Sequence, residues 1–187
     1  MSYVLFISEN KLKQSTAINM NVDVEFLLPY VRQSQKLYIE PLLGTKLYQK
    51  LETEITAGTL TGVYKTLVED YIADTLVNYA FYHCIPFLRF KVENGNIYSK
   101  TSETGNSLTT EESQHLRQEI LNTAQYYNER AVEYLCNNSG SYPEYSTNSG
   151  ADISPSKSSF YSNMNLERPL EQGTELTLAD FLVGGRR

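Results

Sequence analysis

Residues 37–51, LYIEPLLGTKLYQKL, decide the fold of this chain because they join two amphipathic helices through an apolar corner. Pro41 lacks a backbone N–H and restricts the residue before it, so we expect the first helix to end just before this proline, near Ile39. Gly44 takes a positive φ without steric strain, and Thr45 is suited to cap the helix that follows. The corner therefore predicts a fixed angle between two helices, and none of its residues can do chemistry.

On either side of the corner, apolar residues recur at three- and four-residue spacing in four segments, which is typical of helices that bury one face. The predicted helices cover approximately residues 23–40, 45–57, 63–85 and 109–138. Pro86 stops or kinks the third helix, whose second half is apolar nearly all round, as expected for a helix surrounded by others. The sequence thus predicts a mainly α fold with a four-helix bundle-like body.

Two segments are typical of β-structure. Residues 89–100, RFKVENGNIYSK, contain Asn94-Gly95, a dipeptide that favours a tight type I′ turn between two short strands. Because a two-stranded hairpin is marginal alone in water, we expect it to project from the helical body and to pair or pack with this chain or a neighbouring one. Residues 3–7 are β-like in composition, but the sequence offers this single strand no obvious partner.

The chain divides into three predicted regions: an N-terminal arm over residues 1–22, a helical domain over residues 23–138 and an extended arm over residues 139–187. The last region is so rich in Ser, Asn, Gly and Pro that it cannot offset its ordering entropy by burying apolar surface of its own. We expect it to lie on its own domain or, as the favoured alternative, across partner chains. The predicted partner contacts, at the hairpin turn and along this arm, are Asn94, Gly95, Tyr142, Tyr145, Phe160, Tyr161, Phe181, Leu182, Arg186 and Arg187.

The composition limits the possible functions. With 187 residues and 41% apolar content the chain can form one domain with a core, and its net charge of −6 disfavours a grip on nucleic-acid phosphates. Two isolated cysteines make neither a disulfide framework nor a metal site, and no signal peptide is recognisable. The most apolar window, residues 71–90, contains too many polar residues to cross a membrane. We expect an intracellular protein without membrane contact, whose 15 tyrosines serve either a half-buried core or partly wet interfaces.

No residue pattern indicates catalysis or metal binding. His83 and Cys84 are adjacent, so their side chains diverge by about 100° on a helix and the imidazole cannot readily act as a base for the thiol. We expect both to be structural. Asp74 lies on an apolar helix and needs a partner, for which Arg89, Lys65 or a neighbouring chain are the candidates. The sequence therefore predicts no catalytic, cofactor-binding or metal-binding residues.

Taken in order, several segments resemble a known group of virion proteins. These segments are FISENKLKQSTAINMNVD (residues 6–23), QKLYIEPLLGTKLYQKL (35–51), HCIPFLRFKVENG (83–95), YLCNN (134–138) and SYPEY (141–145). Over approximately residues 5–145 the chain resembles the head–tail connector proteins of tailed bacteriophages, also called adaptor or neck-ring proteins, in particular those of crAss-like phages. The stretches LYIEPLLGTKLY and YPEY carry most of this resemblance, and both are packing motifs.

The resemblance implies a helical adaptor protein of the virion, located at the head–tail interface and assembled in the cytoplasm of a bacterial host. Copies of the chain would form a dodecameric ring beneath the portal protein, with extended arms embracing their neighbours and with further tail or neck ring proteins as partners. DNA would pass through the channel during ejection without sequence-specific binding, and an acidic surface suits such a channel. The family has no catalytic residues to transfer to this chain.

Two alternatives remain open at the level of sequence. A helical regulatory or nucleic-acid-binding domain would carry a basic stripe on one helix, and the sequence shows no such stripe. A cysteine-dependent hydrolase around Cys84 is the more distant alternative, and it requires a thiol that reacts in the native protein.

Overall fold

The computed structural model describes residues 3–18, 21–93, 96–99, 109–147 and 152–157, and over these residues the fold is mainly helical, as predicted. The α-helices of this part are α1 (Glu9–Ser15), α2 (Val24–Ser34), α3 (Glu40–Ala57), α4 (Gly62–Thr66), α5 (Ala73–Arg89), α6 (Thr110–Asn137) and α7 (Pro143–Ser146). Two π-helical segments, Gln35–Ile39 and Leu67–Ile72, join α2 to α3 and α4 to α5. At each junction the helix therefore continues through a locally widened turn.

Two of the predicted helix starts, near residues 23 and 109, are confirmed and carry side-chain caps. The Asp23 carboxylate accepts a hydrogen bond from the N–H of Glu25 at 3.2 Å and opens α2. Thr109 and Glu112 form a reciprocal capping box at the start of α6. These N–H and O–H donors hold the pKa of the Glu112 carboxyl below its usual value. Gly58 ends α3 with a φ of 66°, which is the left-handed conformation that favours glycine.

The predicted effects of the two prolines are wrong in part, because Pro41 lies inside α3 and Pro86 lies inside α5. Just before Pro41 the backbone is π-helical, and the N–H of Glu40 donates to the carbonyl of Gln35 five residues back. This wider turn leaves room for the proline ring, so the helix does not end there. The break falls instead at Gly44, whose φ of 74° and ψ of 157° interrupt α3. Pro86 removes one main-chain hydrogen bond, but the last turn of α5 still forms.

The core is built around α5, which contacts α1, α2 and α6. Leu76, Ala80 and Cys84 of α5 are fully buried within it. Leu42 and Leu43 of the corner are 2% and 0% exposed, so the apolar corner belongs to the core. The two π-helical segments belong to the same packing layer, since each contacts α5.

Several tyrosines form stacked pairs between these helices. Tyr38 lies parallel to Tyr79 with ring centroids 3.7 Å apart, and Tyr71 lies on Tyr134 at 4.0 Å. Aromatic pairs of this kind contribute roughly 0.5–1.5 kcal/mol per pair beyond the area buried. Of the two roles expected for tyrosines, these four residues therefore serve the packing of the chain's own helices.

Residues 3–7 join no strand, and a side chain takes the place of the missing partner. The amide of Gln35, itself buried, accepts from the N–H of Phe6 at 3.0 Å and donates to the carbonyl of Val4 at 2.9 Å. This is the two-point pattern that a neighbouring strand would supply. Gln35 also donates to the Tyr48 hydroxyl at 2.8 Å, which fixes the amide in place. Much of the predicted arm 1–22 consequently packs into the core, through Phe6, Ile7, Leu12 and Ile18.

Strand β1 (Phe90–Glu93) follows α5 directly and pairs with β2 (Asn96–Ser99) in an antiparallel two-stranded sheet. Phe90 is opposite Ser99, and Glu93 is opposite Asn96. The predicted turn at Asn94-Gly95 lies outside the described residues.

The chain continues to pack on the helical body beyond the predicted domain boundary at residue 138. After α6 a 3₁₀ turn (Ser139–Ser141) leads into α7, which contacts α3. Residues 152–157 then lie against the corner of α3. The described part of the predicted arm 139–187 is therefore attached to its own domain.

Candidate functional site

The corner at residues 41–45 binds residues 152–157, a segment that we call the strap. In an uninterrupted helix the N–H of Thr45 would donate to the carbonyl of Pro41 four residues back, but the non-helical Gly44 separates these groups. Both groups bond to the strap instead. The N–H of Thr45 donates to the carbonyl of Ile153 at 3.1 Å, and the N–H of Ser156 donates to the carbonyl of Pro41 at 3.1 Å. The break at Gly44 thus frees one main-chain N–H and one carbonyl from the helix, and these two groups hold the strap.

Two hydroxyl groups add to this main-chain pairing. The N–H of Ile153 donates to Oγ1 of Thr45 at 2.9 Å, so this residue serves the strap rather than acting only as the predicted helix cap. The hydroxyl of Ser156 donates to the carbonyl of Pro41 at 3.3 Å. The strap is consequently held at both of its ends by the corner.

Gly44 is also the place where the strap comes closest to the helix. A Cβ at this position would lie 2.8 Å from Cδ and 2.9 Å from the backbone N of Pro155, closer than real Cβ contacts occur. The backbone conformation of Gly44 is itself one that is nearly restricted to glycine. Glycine is therefore required at the corner twice, once for the break and once for the strap.

The opposite side of the strap contacts α6 and α7. The Tyr145 hydroxyl donates to the carbonyl of Ser156 at 2.5 Å, and the Cys136 thiol donates to the carbonyl of Lys157 at 3.7 Å. Before the strap, the Lys46 ammonium donates to the carbonyl of Thr147 at 2.8 Å. The strap is therefore bound by three helices, α3, α6 and α7, which fixes the point from which the following residues leave.

Tyr142 and Tyr145, which the sequence predicts as partner contacts, are buried within this chain, at 0% and 2% exposure. The Tyr142 hydroxyl donates to the carbonyl of Val63 at 2.9 Å and lies 3.1 Å from the Tyr134 hydroxyl. Burial raises the pKa of Tyr142 and of Tyr145 above the usual value for a phenol. In this structure both rings anchor α7 and the strap to the chain's own helices.

Tyr64 of α4 also contacts α7. The Tyr64 hydroxyl donates to Oε2 of Glu144 at 2.8 Å. Burial and the hydrogen bond to this carboxylate raise the pKa of Tyr64 to about 12. The phenol therefore stays protonated, and keeps this hydrogen bond, well into alkaline solution.

The residues that the sequence singled out for chemistry lie within the helical packing. Cys84 is fully buried, and burial raises the pKa of its thiol to about 12. His83 Nε2 lies 3.1 Å from the Tyr38 hydroxyl, and burial, with Arg117 nearby, lowers the pKa of the imidazole. Asp74 is half-buried, and Lys65, one of its predicted partners, pairs with a glutamate one turn away at 3.8 Å.

The remaining predicted contacts are not part of the described structure, so they stay predictions. They are Asn94, Gly95, Phe160, Tyr161, Phe181, Leu182, Arg186 and Arg187. Over the residues that the structure does describe, no group of three or more His, Cys, Asp and Glu side chains could hold a metal ion. No helix in those same ranges is both long enough and apolar enough to cross a membrane.

Sequence reasoning missed two residues that hold the extended segments. Gln35 stands between Val31 and Ile39 on the apolar face of its helix, and a polar residue at such a position signals a buried hydrogen-bonding role. The Pro41 carbonyl accepts hydrogen bonds from the strap, but nothing in the sequence indicates this role. It depends on where the helix breaks and not on the identity of a side chain.

The same region of the chain is also the part that is similar to a known family. A family model described as "Family of unknown function (DUF6712)" matches residues 39–155. The chain belongs to this family. The DUF6712 match begins beside the corner and ends at Pro155, so it includes most of the strap and the whole corner that binds it. Neither a curated protein nor a solved structure matches the chain significantly.

Proposed function

We propose that this chain is a structural protein of the neck of a tailed bacteriophage virion. Copies of it form a ring, dodecameric as in the connector proteins that the sequence resembles, which joins the portal protein to the tail and extends the DNA channel. The ring belongs to the head–tail interface of the virion and is assembled in the cytoplasm of the bacterial host. Its partners are further copies, the portal protein and other tail or neck ring proteins.

The observation that carries this proposal is the binding of the strap at the corner. Four hydrogen bonds join Pro41 and Thr45 to Ile153 and Ser156 within about 3.3 Å. Residues 158–187 consequently start from a fixed place on the helical body. A fixed origin is what an arm needs if it is to reach the same surface of a neighbour in every copy of a ring.

The proposed architecture is an adaptor domain in which α2, α3, α5 and α6 form a bundle-like body. The β1–β2 hairpin projects from this body, and residues 158–187 form the arm that contacts partners. Support for a body of this kind comes from the packing of α5 against α2 and α6 and from the strong apolar core around it. The net charge of −6 supports a channel in which DNA slides without sticking.

A co-sedimentation experiment tests this function. Portal rings from the same virus are mixed with the full chain and with a variant that ends at Lys157 and so retains the strap. We expect the full chain to sediment with the portal as a multimer. The shortened variant should keep its helical circular dichroism but bind far less. Equal binding by both variants would contradict a role for the arm, and binding by neither would contradict the proposed function.

Two further measurements separate this proposal from the alternatives. Fluorescence anisotropy with duplex and single-stranded DNA should show no binding at physiological salt, whereas a nucleic-acid-binding domain would bind in a salt-dependent way. A thiol reagent at neutral pH should modify Cys136, which is exposed, and spare Cys84, whose thiol has a pKa raised to about 12. Rapid modification of Cys84 would instead favour a cysteine-dependent hydrolase.

A further inference from the structure

Arg117 of α6 carries a cation that lies against α5. Its Cζ atom is 4.5 Å from the centre of the Tyr82 ring, and this cation–π contact holds the guanidinium in place. Nε of Arg117 is buried and has no hydrogen-bond partner within the described ranges. The residue as a whole is only partly buried, so a solute can still approach the guanidinium.

Neighbouring positions on the two helices offer Arg117 no carboxylate. Lys36, Lys50 and Lys65 each pair with a glutamate four residues further along the chain. On α6, positions 113, 114, 120 and 121, one turn from Arg117, hold Ser, Gln, Ile and Leu. On α5, positions 78, 79, 85 and 86, one turn from Tyr82, hold Asn, Tyr, Ile and Pro. A cation that is partly removed from water is stabilised by an anion, so the charge of Arg117 is open to one from elsewhere.

His83 lies beside this cation. Its ring centroid is 5.2 Å from that of Tyr82, the same ring that Arg117 contacts. Burial, and after it the positive charge of Arg117, lower the pKa of the imidazole. On another side the Tyr38 hydroxyl lies 3.1 Å from Nε2 of His83 and holds the ring. Protonation of His83 would place two cations near each other, and a bound anion would offset their repulsion.

The chemistry of these groups selects the class of ligand. A guanidinium is a planar fork of N–H donors that matches two oxygens of a carboxylate or a phosphate group, and a protonated imidazole adds a further donor. The groups belong to three packed elements, because Tyr38 lies in the π-helical segment Gln35–Ile39, His83 in α5 and Arg117 in α6. Their positions are therefore set by the fold before any ligand binds.

We propose that Arg117 and His83 form a binding site for a small oxyanion, a carboxylate or a phosphate group. The Arg117 guanidinium donates hydrogen bonds to the oxygens of the anion. His83 takes up a proton from water as the anion binds and supplies the second positive charge. The site is independent of the proposed function, since neither the ring nor the arm takes part in it.

NMR of the histidine side chains tests this site in the full chain. The chain has two histidines, and His115 is an exposed residue of α6 that serves as the internal control. Chloride is replaced by inorganic phosphate at constant neutral pH and ionic strength. We expect the imidazole signals of His83 to shift towards the protonated form and to saturate, while those of His115 stay nearly constant. In saturating phosphate the pKa of His83 should rise, because a nearby anion favours the charged imidazole.

A parallel titration with acetate distinguishes the two kinds of oxyanion. Saturation of the His83 signals by acetate as well as by phosphate would assign a general carboxylate and phosphate site. Saturation by phosphate alone would assign a phosphate site, and by acetate alone a carboxylate site. No saturable shift of His83 with either anion would overturn the proposal.

Variants of two arginines on α6 provide the matched comparison. Arg117→Met should weaken the binding at least about tenfold, because a charge-assisted hydrogen bond is lost. Arg130→Met is the control, since Arg130 makes the same kind of contact with Tyr71, at 5.2 Å, and should leave the response of His83 unchanged. Arg117→Lys keeps the charge without the planar fork and should lie between them, and it carries the comparison if Arg117→Met loses its helical circular dichroism. Equal responses in the Arg117 and Arg130 variants, or parallel shifts of His83 and His115, would overturn the proposal.

Discussion

The N-terminal segment and the strap are both irregular pieces of chain held on the stretch from α2 to α3, but different parts of this stretch hold them. Gln35 binds residues 4 and 6 through its side-chain amide. The corner binds residues 153 and 156 through the main-chain groups of Pro41 and Thr45, with help from a hydroxyl on each side. The π-helical turn that begins at Gln35 leads to the corner and has the widened backbone that admits Pro41.

The difference shows where each attachment can be broken. A side-chain attachment is lost when one residue is replaced, because its hydrogen bonds come from one functional group. A main-chain attachment survives most side-chain replacements, and here it is sensitive mainly at Gly44, where the backbone conformation and the space are both restricted.

Gly44→Ala should have the largest effect, a loss of about 3 kcal/mol in the free energy of unfolding, since backbone strain and overpacking against Pro155 add together. The matched control is Gly58→Ala. Gly58 also has a positive φ, of 66°, but nothing lies within 4 Å of an added Cβ, so we expect a loss of about 1 kcal/mol. Chemical denaturation of both variants measures the difference. Equal losses would contradict the packing of the strap on Gly44.

A chain that ends at residue 151, and therefore lacks the strap, sharpens this test. In that background Gly44→Ala keeps its backbone strain and loses the contact with Pro155, so its effect should fall towards that of Gly58→Ala. An unchanged effect would show that the strap does not contribute to the requirement for glycine.

Gln35→Leu should lower the free energy of unfolding by about 2 kcal/mol, because main-chain groups of Val4 and Phe6 and the Tyr48 hydroxyl lose their partner. Hydrogen exchange should show faster exchange of the Phe6 amide and no change at the Ser156 amide, since the corner does not depend on Gln35. Gln118→Leu, on the exposed face of α6, is the control and should change stability by less than about 0.5 kcal/mol. Faster exchange at both amides would mean that the two attachments act as one unit.

Tyr145→Phe should have a smaller effect, about 1 kcal/mol, because the ring stays buried and a hydrogen bond to the carbonyl of Ser156 is lost. Exchange of the Ser156 and Thr45 amides should become faster, while that of Phe6 should not. Tyr126→Phe, at a position that is 63% exposed, provides the control and should leave stability unchanged. No change in exchange at the strap would argue against the contact between α7 and the strap.

The smallest effect is expected in alkaline solution. Tyr64 has a folded-state pKa raised to about 12, above its usual value of 10.0, so the unfolded chain releases this proton first. The stability from its hydrogen bond to Glu144 is complete below pH 10.0 and is lost as the pH rises through about 12. Between these values Tyr64→Phe should lose less stability with pH than the original chain. Parallel pH profiles for the two would contradict this assignment.

Elements that depend on neighbouring residues can be predicted from the sequence, whereas contacts between distant segments cannot. The helix starts near residues 23 and 109 are predicted from residues within one helical turn, and both are confirmed, with caps at Asp23 and Thr109. The passage of the helix through Pro41 depends on a π-helical turn, which no residue type marks. The strap meets the corner more than 100 residues away in sequence, through main-chain atoms common to every residue. The sequence singles out Tyr142 and Tyr145 as contact residues, but the hydrophobicity of a side chain does not say which chain it packs against.

Electron microscopy of the full chain mixed with portal rings would show whether copies of this chain assemble into the proposed neck ring. We predict a closed ring of copies on one face of the portal, each with its strap at its own corner and with residues 158–187 against a neighbouring subunit. Isolated copies scattered on the portal, or portal rings that remain bare, would contradict it.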